Sequence, residues 1–235
     1  ILVGCSLLVS GLFPVDQKTA LVLVVVFVFS YVLMGGTYAH AYTNTLQGVM
    51  MMAVALGLFI HGSHYFGDAP LEHLRAIGTD YASAFNPSSN LYFGFFSVFV
   101  SGFVVTFALM LQPHILTKVL YLRSPKDANA FIATTVVAGS VFMLMLTLGF
   151  YARLAGYDIE AQDTVVREYL IREFFGTPSG ELILAFIFIA LLAAGMSTLD
   201  GILVSLSAMV VADILKPLGL AEHHGLRISR YVLVA

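Results

Sequence analysis

Four long apolar stretches constrain this chain more than anything else in it. Tyr38–Ile60, Leu91–Leu111, Ala128–Leu154 and Glu181–Leu215 each hold the roughly 20 mostly apolar residues that a membrane-spanning helix requires. Thr19–Met34 is almost purely aliphatic and spans if carried on to Gly36. Ile1–Phe13 is too short and reads as the tail of a span, while Ile228–Ala235 reads as the start of another. Glu181–Leu215 exceeds what a bilayer needs, so it should tilt or protrude. Runs of this length do not suit barrel strands, which are shorter and alternate. With 59% hydrophobic and only 11% charged residues, the chain has too little polar surface for water, and lipid must be its solvent. The net charge of −3 offers nothing to a nucleic-acid partner. One cysteine, Cys5, excludes a disulfide framework. The chain begins inside an apolar run without a methionine and ends inside another, so it reads as an internal fragment: a single transmembrane domain over 1–235.

The connecting segments give an orientation. Lys118, Arg123 and Lys126 lie in one, and Lys216, Arg227 and Arg230 in another. Basic loops stay in the cytoplasm, so both are expected inside, with two spans between them. The acidic His61–Asn90 loop is expected outside, as is Ala155–Gly180, with a helical stretch near Thr164–Phe175.

Polar residues within spans are costly in lipid and mark candidate functional positions. On the last long span, Ala190, Ala194, Ser197, Thr198, Gly201, Ser205, Ala208 and Ala212 recur every three or four residues. Such a small-residue face serves helix contact. The adjacent hydroxyls of Ser197 and Thr198 add hard oxygen atoms suited to a small cation, and Asp200 adds a carboxylate nearby. Gly35-Gly36 predicts a break or tight turn, followed by a polar stripe of Thr37, His40, Asn44 and Gln47. That stripe either bonds neighbouring helices or walls an aqueous pathway. Gln112-Pro113 ends the preceding helix or kinks it. A hydrolase triad at mid-depth has no support, because His40, His61, His64 and His114 all lie near membrane ends.

In order along the chain, Gly35-Gly36 with Thr43-Asn44-Thr45-Leu46-Gln47, then Gln112-Pro113-His114-Ile115 with its basic turn, then Ala194-Gly195-Met196-Ser197-Thr198-Leu199-Asp200-Gly201, resemble the sodium:solute symporter family. The resemblance implies an all-α polytopic fold, part of an inverted-repeat helical bundle of the leucine-transporter type, running from about core helix three to the start of nine. Thr19–Met34 and Tyr38–Ile60 would be core helices four and five, with the first core helix outside this chain. It further implies sodium-coupled symport of a small organic solute, with sodium (Na+) as the coupling ion and the plasma membrane as the location. A non-transporting sensor of the same fold is the alternative. The implied sodium ligands are the Ala194 carbonyl and the hydroxyls of Ser197 and Thr198. Asp200 and Asn44 would support the ion or its pathway, although Asn44 stands where the family commonly has an aspartate. Val104 and Phe107 would face the solute. Val104 offers a sugar no hydrogen bond, which favours an organic anion or amino acid.

Overall fold

The structure, a computed structural model, describes residues 1–157, 159 and 164–219, apart from the side chains at 12, 31, 34–40 and 117. Among these residues it is helical with no β-strand. Among the described residues, three helical stretches are long and apolar enough to cross a membrane: Ala41–Phe66, Pro125–Leu154 and Pro178–Leu215. The start of the expected seventh span, Ile228–Ala235, lies outside the described residues, as do Arg227 and Arg230.

Helix α1 covers Leu2–Leu12 and α2 covers Gln17–Gly62. Asp16 starts α2 by accepting hydrogen bonds from the backbone of Lys18 and Thr19 and from the Thr19 hydroxyl, at 3.0, 3.1 and 2.6 Å. The expected break at Gly35-Gly36 does not occur: α2 runs through both glycines without interruption for 46 residues. A glycine in a helix costs only about 1 kcal/mol. No proline in this stretch forces an opening.

The fourth span also differs from its expected limits. Leu91–Gly94 is not helical; a π turn at Phe96–Val100 leads into α4, Ser101–Met110. Side chains capture the backbone ahead of it. Asn86 Oδ1 accepts from the Ser88 amide, Ser89 Oγ from the amides of Leu91 and Tyr92, and Ser97 Oγ from the amide of Gly94. Gln112-Pro113 ends a helix rather than kinking one, since α5, Pro113–Val119, restarts at the proline. Helix α6 spans Pro125–Met143 with Ser124 as its cap, and a single 3-10 turn at Leu144–Leu146 joins it to α7, Thr147–Leu154. The loop helix expected near Thr164–Phe175 is α8, Val165–Phe174. Helix α9, Pro178–Met209, passes into a π turn at Val210–Leu215. Short α3, Pro70–Ile77, lies in the loop after α2.

The chain divides into two compact units. One holds Ile1–Met51, Pro113–Leu122 and Phe186–Ala235. Its core is built on every fourth residue of α2, namely Ala20, Val24, Val28 and Val32, packed with Cys5 and Val9 of α1 and with Met196 and Leu203 of α9. A Cβ added to Gly195 would fall well inside the contact distance of Cys5 Sγ, so glycine there lets α1 approach α9. Gly195→Ala should lower the thermal midpoint of the detergent-solubilised full-length protein, by about 1–3 kcal/mol of overpacking. Adding Cys5→Ala should restore most of the loss; an unchanged midpoint in Gly195→Ala alone would refute the close approach.

The second unit holds Met52–Gln112 and Arg123–Ala185. Its core gathers Val54, Ala55 and Leu58 of α2, Leu148, Tyr151 and Ala152 of α7, and Tyr169, Leu170 and Phe174 of α8. Among the described residues, helices α4 and α6 bury no side chain.

Candidate functional site

The first unit brings the α9 motif against the second half of α2's polar stripe. The Ser197 hydroxyl donates to Asn44 Oδ1 at 2.7 Å. The Thr198 hydroxyl donates to the Ala194 carbonyl one turn back at 3.1 Å. Ala194, Ser197 and Asn44 are half-buried and Thr198 is exposed. Successive residues on a helix diverge by about 100°, so one hydroxyl meets α2 while the other opens outward.

Both hydroxyl protons are thus committed to protein acceptors. A serine or threonine oxygen that has given its proton away still carries lone pairs, and those are what a hard cation takes up. Ala194 is in a different position, because its carbonyl already receives the Thr198 hydroxyl. Gln47, one turn beyond Asn44, buries its side-chain oxygen with no hydrogen-bond partner among the described residues. The donor set is therefore all oxygen and mostly neutral, which fits sodium.

Asp200 is fully buried, at 0% exposure, so it faces the protein interior. Two residues beyond Thr198 on a helix, it points to the opposite side from that hydroxyl. Thr37 and His40 lie outside the described side chains. Of the small face on α9, Ala190, Gly201 and Ser205 are buried, whereas Ala208 and Ala212 are exposed. Val104 and Phe107 belong to the second unit and are exposed on α4, with Phe107 stacked on Phe103 at 6.3 Å. The partner of Ser197 is an amide, not an imidazole, so no nucleophile–base pair forms here. Among the described residues no cluster of His, Cys, Asp and Glu could hold a metal ion.

One polar centre went unread in the sequence. Glu173 of α8, in the second unit, accepts hydrogen bonds at Oε1 from the hydroxyls of Tyr65 and of Tyr157, the latter at 3.0 Å, and its Oε2 lies 3.1 Å from His61 Nε2. Burial pushes its carboxyl up, but the bonds from Tyr65, His61 and Tyr157 outweigh that and hold it below the usual carboxylate range. Burial, and then Glu173 itself, pushes the Tyr157 and Tyr169 phenols up. The signal was present in α8. Tyr169, Leu170, Glu173 and Phe174 share one stripe at helical spacing, which places a carboxylate on the buried face.

The helices define a polytopic α-helical membrane protein, and α9 meets α2 through the Ser197–Asn44 hydrogen bond. The sodium:solute symporter family profile matches residues 1–232, and the chain belongs to that family. It is 25% identical over 216 residues to the sodium/pantothenate symporter of Haemophilus influenzae, covering 90% of this chain and 43% of that protein. It is 26% identical over 222 residues to the high-affinity proline transporter PutP of Bacillus subtilis, covering 92% of this chain and 45% of that protein. An uncharacterized symporter of Bacillus subtilis, YwcA, is 25% identical over 225 residues, covering 91% of this chain and 42% of that protein. The chain spans less than half the length of these relatives. No solved structure matches it.

Proposed function

We propose that the full-length protein is a secondary active transporter of the plasma membrane that couples sodium to the symport of a small organic anion or amino acid. The observation that carries this reading is the Ser197–Thr198 pair: two adjacent hydroxyls whose protons are held by Asn44 and Ala194, leaving oxygen lone pairs for a cation. Family membership and the solutes named for two relatives, pantothenate and proline, support the solute class. Sodium is cargo as well as driving ion. Ser197 and Thr198 contribute hydroxyl oxygens, and Ala194 contributes its carbonyl once the Thr198 hydroxyl lets go of it. Asp200 supports the ion from inside the protein, while Asn44 and Gln47 wall its path. Val104 and Phe107 face the solute.

Coupling follows from linkage: if sodium and solute favour the same closed arrangement, each raises the affinity for the other. The test is counterflow of labelled carboxylates and amino acids in vesicles holding the full-length protein, with and without sodium. Sodium-dependent exchange of one such solute is the expected result. Solute binding without any exchange would mark a sensor of the same fold instead.

A further inference from the structure

The Glu173 centre joins segments far apart in the chain. His61 ends α2 and Tyr65 lies in the 3-10 turn after it, Tyr157 follows α7, and Glu173 sits near the end of α8. The two members of the pair differ in access: the Glu173 side chain is 9% exposed and His61 is 40% exposed. The anchor is thus buried while the imidazole is partly exposed at the end of α2. Arg172, the neighbouring cation on α8, lies over the Tyr157 ring at 5.1 Å. Among the described residues no lysine or arginine pairs with Glu173, so its cationic partner is His61 once that ring is protonated. The other titratable groups facing the centre are His64, edge-on to His61 at 5.9 Å, and the phenols of Tyr65, Tyr151, Tyr157 and Tyr169.

We propose that His61 and Glu173 form a proton-sensitive latch that holds α8 against the end of α2 and tightens when the imidazole gains a proton. A neutral imidazole already gives the ionised carboxylate a charge-assisted hydrogen bond; a protonated one adds the attraction of an ion pair at 3.1 Å to the same contact. Histidine is the side chain that changes charge between about pH 5 and pH 8. The carboxylate, held below its usual range, stays ionised across that window. The latch therefore strengthens with mild acid and fails only where Glu173 itself takes up a proton. This inference does not rest on the transport reading, because it is read without solute or sodium.

The test is amide hydrogen exchange of α8 in the full-length protein in lipid nanodiscs, corrected for the intrinsic pH dependence of exchange. From about pH 8 to about pH 6, protection across Val165–Phe174 should rise about fivefold. His61→Gln can still donate a neutral hydrogen bond but cannot carry the charge, and should flatten that rise. Tyr65→Phe, which removes a neutral donor, should lower protection at both pH values and keep the ratio. Equal wild-type protection at the two pH values, or an undiminished rise in His61→Gln, would overturn the latch.

Discussion

Ser197→Ala and Thr198→Ala are each expected to raise the sodium concentration for half-maximal uptake by about tenfold or more, with much smaller changes in protein level. The size follows from losing one oxygen contact to a charged partner, about 1.5–3 kcal/mol. A helix interior offers few oxygens, since its carbonyls already accept amides four residues on. Side-chain hydroxyls must therefore supply them, and here both have their protons pointed at Asn44 and Ala194. Thr198→Ser keeps that oxygen and should be mild. Thr198→Ala has a second consequence: it removes the hydroxyl's bond to the Ala194 carbonyl, which keeps only the helical amide of residue 198, so part of the lost affinity should return relative to Ser197→Ala. Sodium-dependent uptake by the full-length protein in vesicles measures all three. Wild-type sodium dependence in both alanine variants would reduce the α9 face to packing.

Gly62→Ala should produce a large stability loss in the second unit. The backbone of Gly62 has φ −78° and ψ −9°, a conformation alanine adopts freely. The obstacle is the Tyr151 ring. A new Cβ would lie 2.8 Å from its Cγ and closer still to Cδ2 and Cε2. That ring has no room to yield: it is fully buried, packs edge-on to Phe66 at 5.1 Å, and its hydroxyl donates to the Phe59 carbonyl at 3.1 Å. Overpacking of this kind costs about 1–3 kcal/mol and occasionally more. Tyr151→Phe gives the scale, since it loses only the hydroxyl's bond, about 1 kcal/mol. Thermal unfolding of the solubilised full-length protein should therefore rank wild type above Tyr151→Phe and Tyr151→Phe above Gly62→Ala. A Gly62→Ala midpoint equal to wild type would show that the ring moves at no cost.

The sequence limits of Ala128–Leu154 and Glu181–Leu215 agree with the helical stretches to within a few residues. Their apolar length is demanded by lipid, and lipid acts on each span separately. The limits at Gly35-Gly36 and Leu91 were misread because local breaker signals compete there with other local forces. Backbone satisfaction carries α2 through its glycines, and the Asn86 and Ser89 side chains delay the start of α4.

By itself, then, the amino-acid sequence determined that the chain is all-α and built for a membrane, and which family it joins. It also marked the α9 stretch with the adjacent hydroxyls. Those properties follow from apolar length and from motif order, both readable along one dimension. Only the tertiary structure decided which atoms meet: Ser197 with Asn44, Cys5 with Gly195, and Glu173 with residues 16, 108 and 112 positions away. The physical reason is that a hydrogen bond or a close packing contact depends on distances of a few ångströms between helices. No periodicity within a single helix encodes such distances, and the packing of one helix on another sets them.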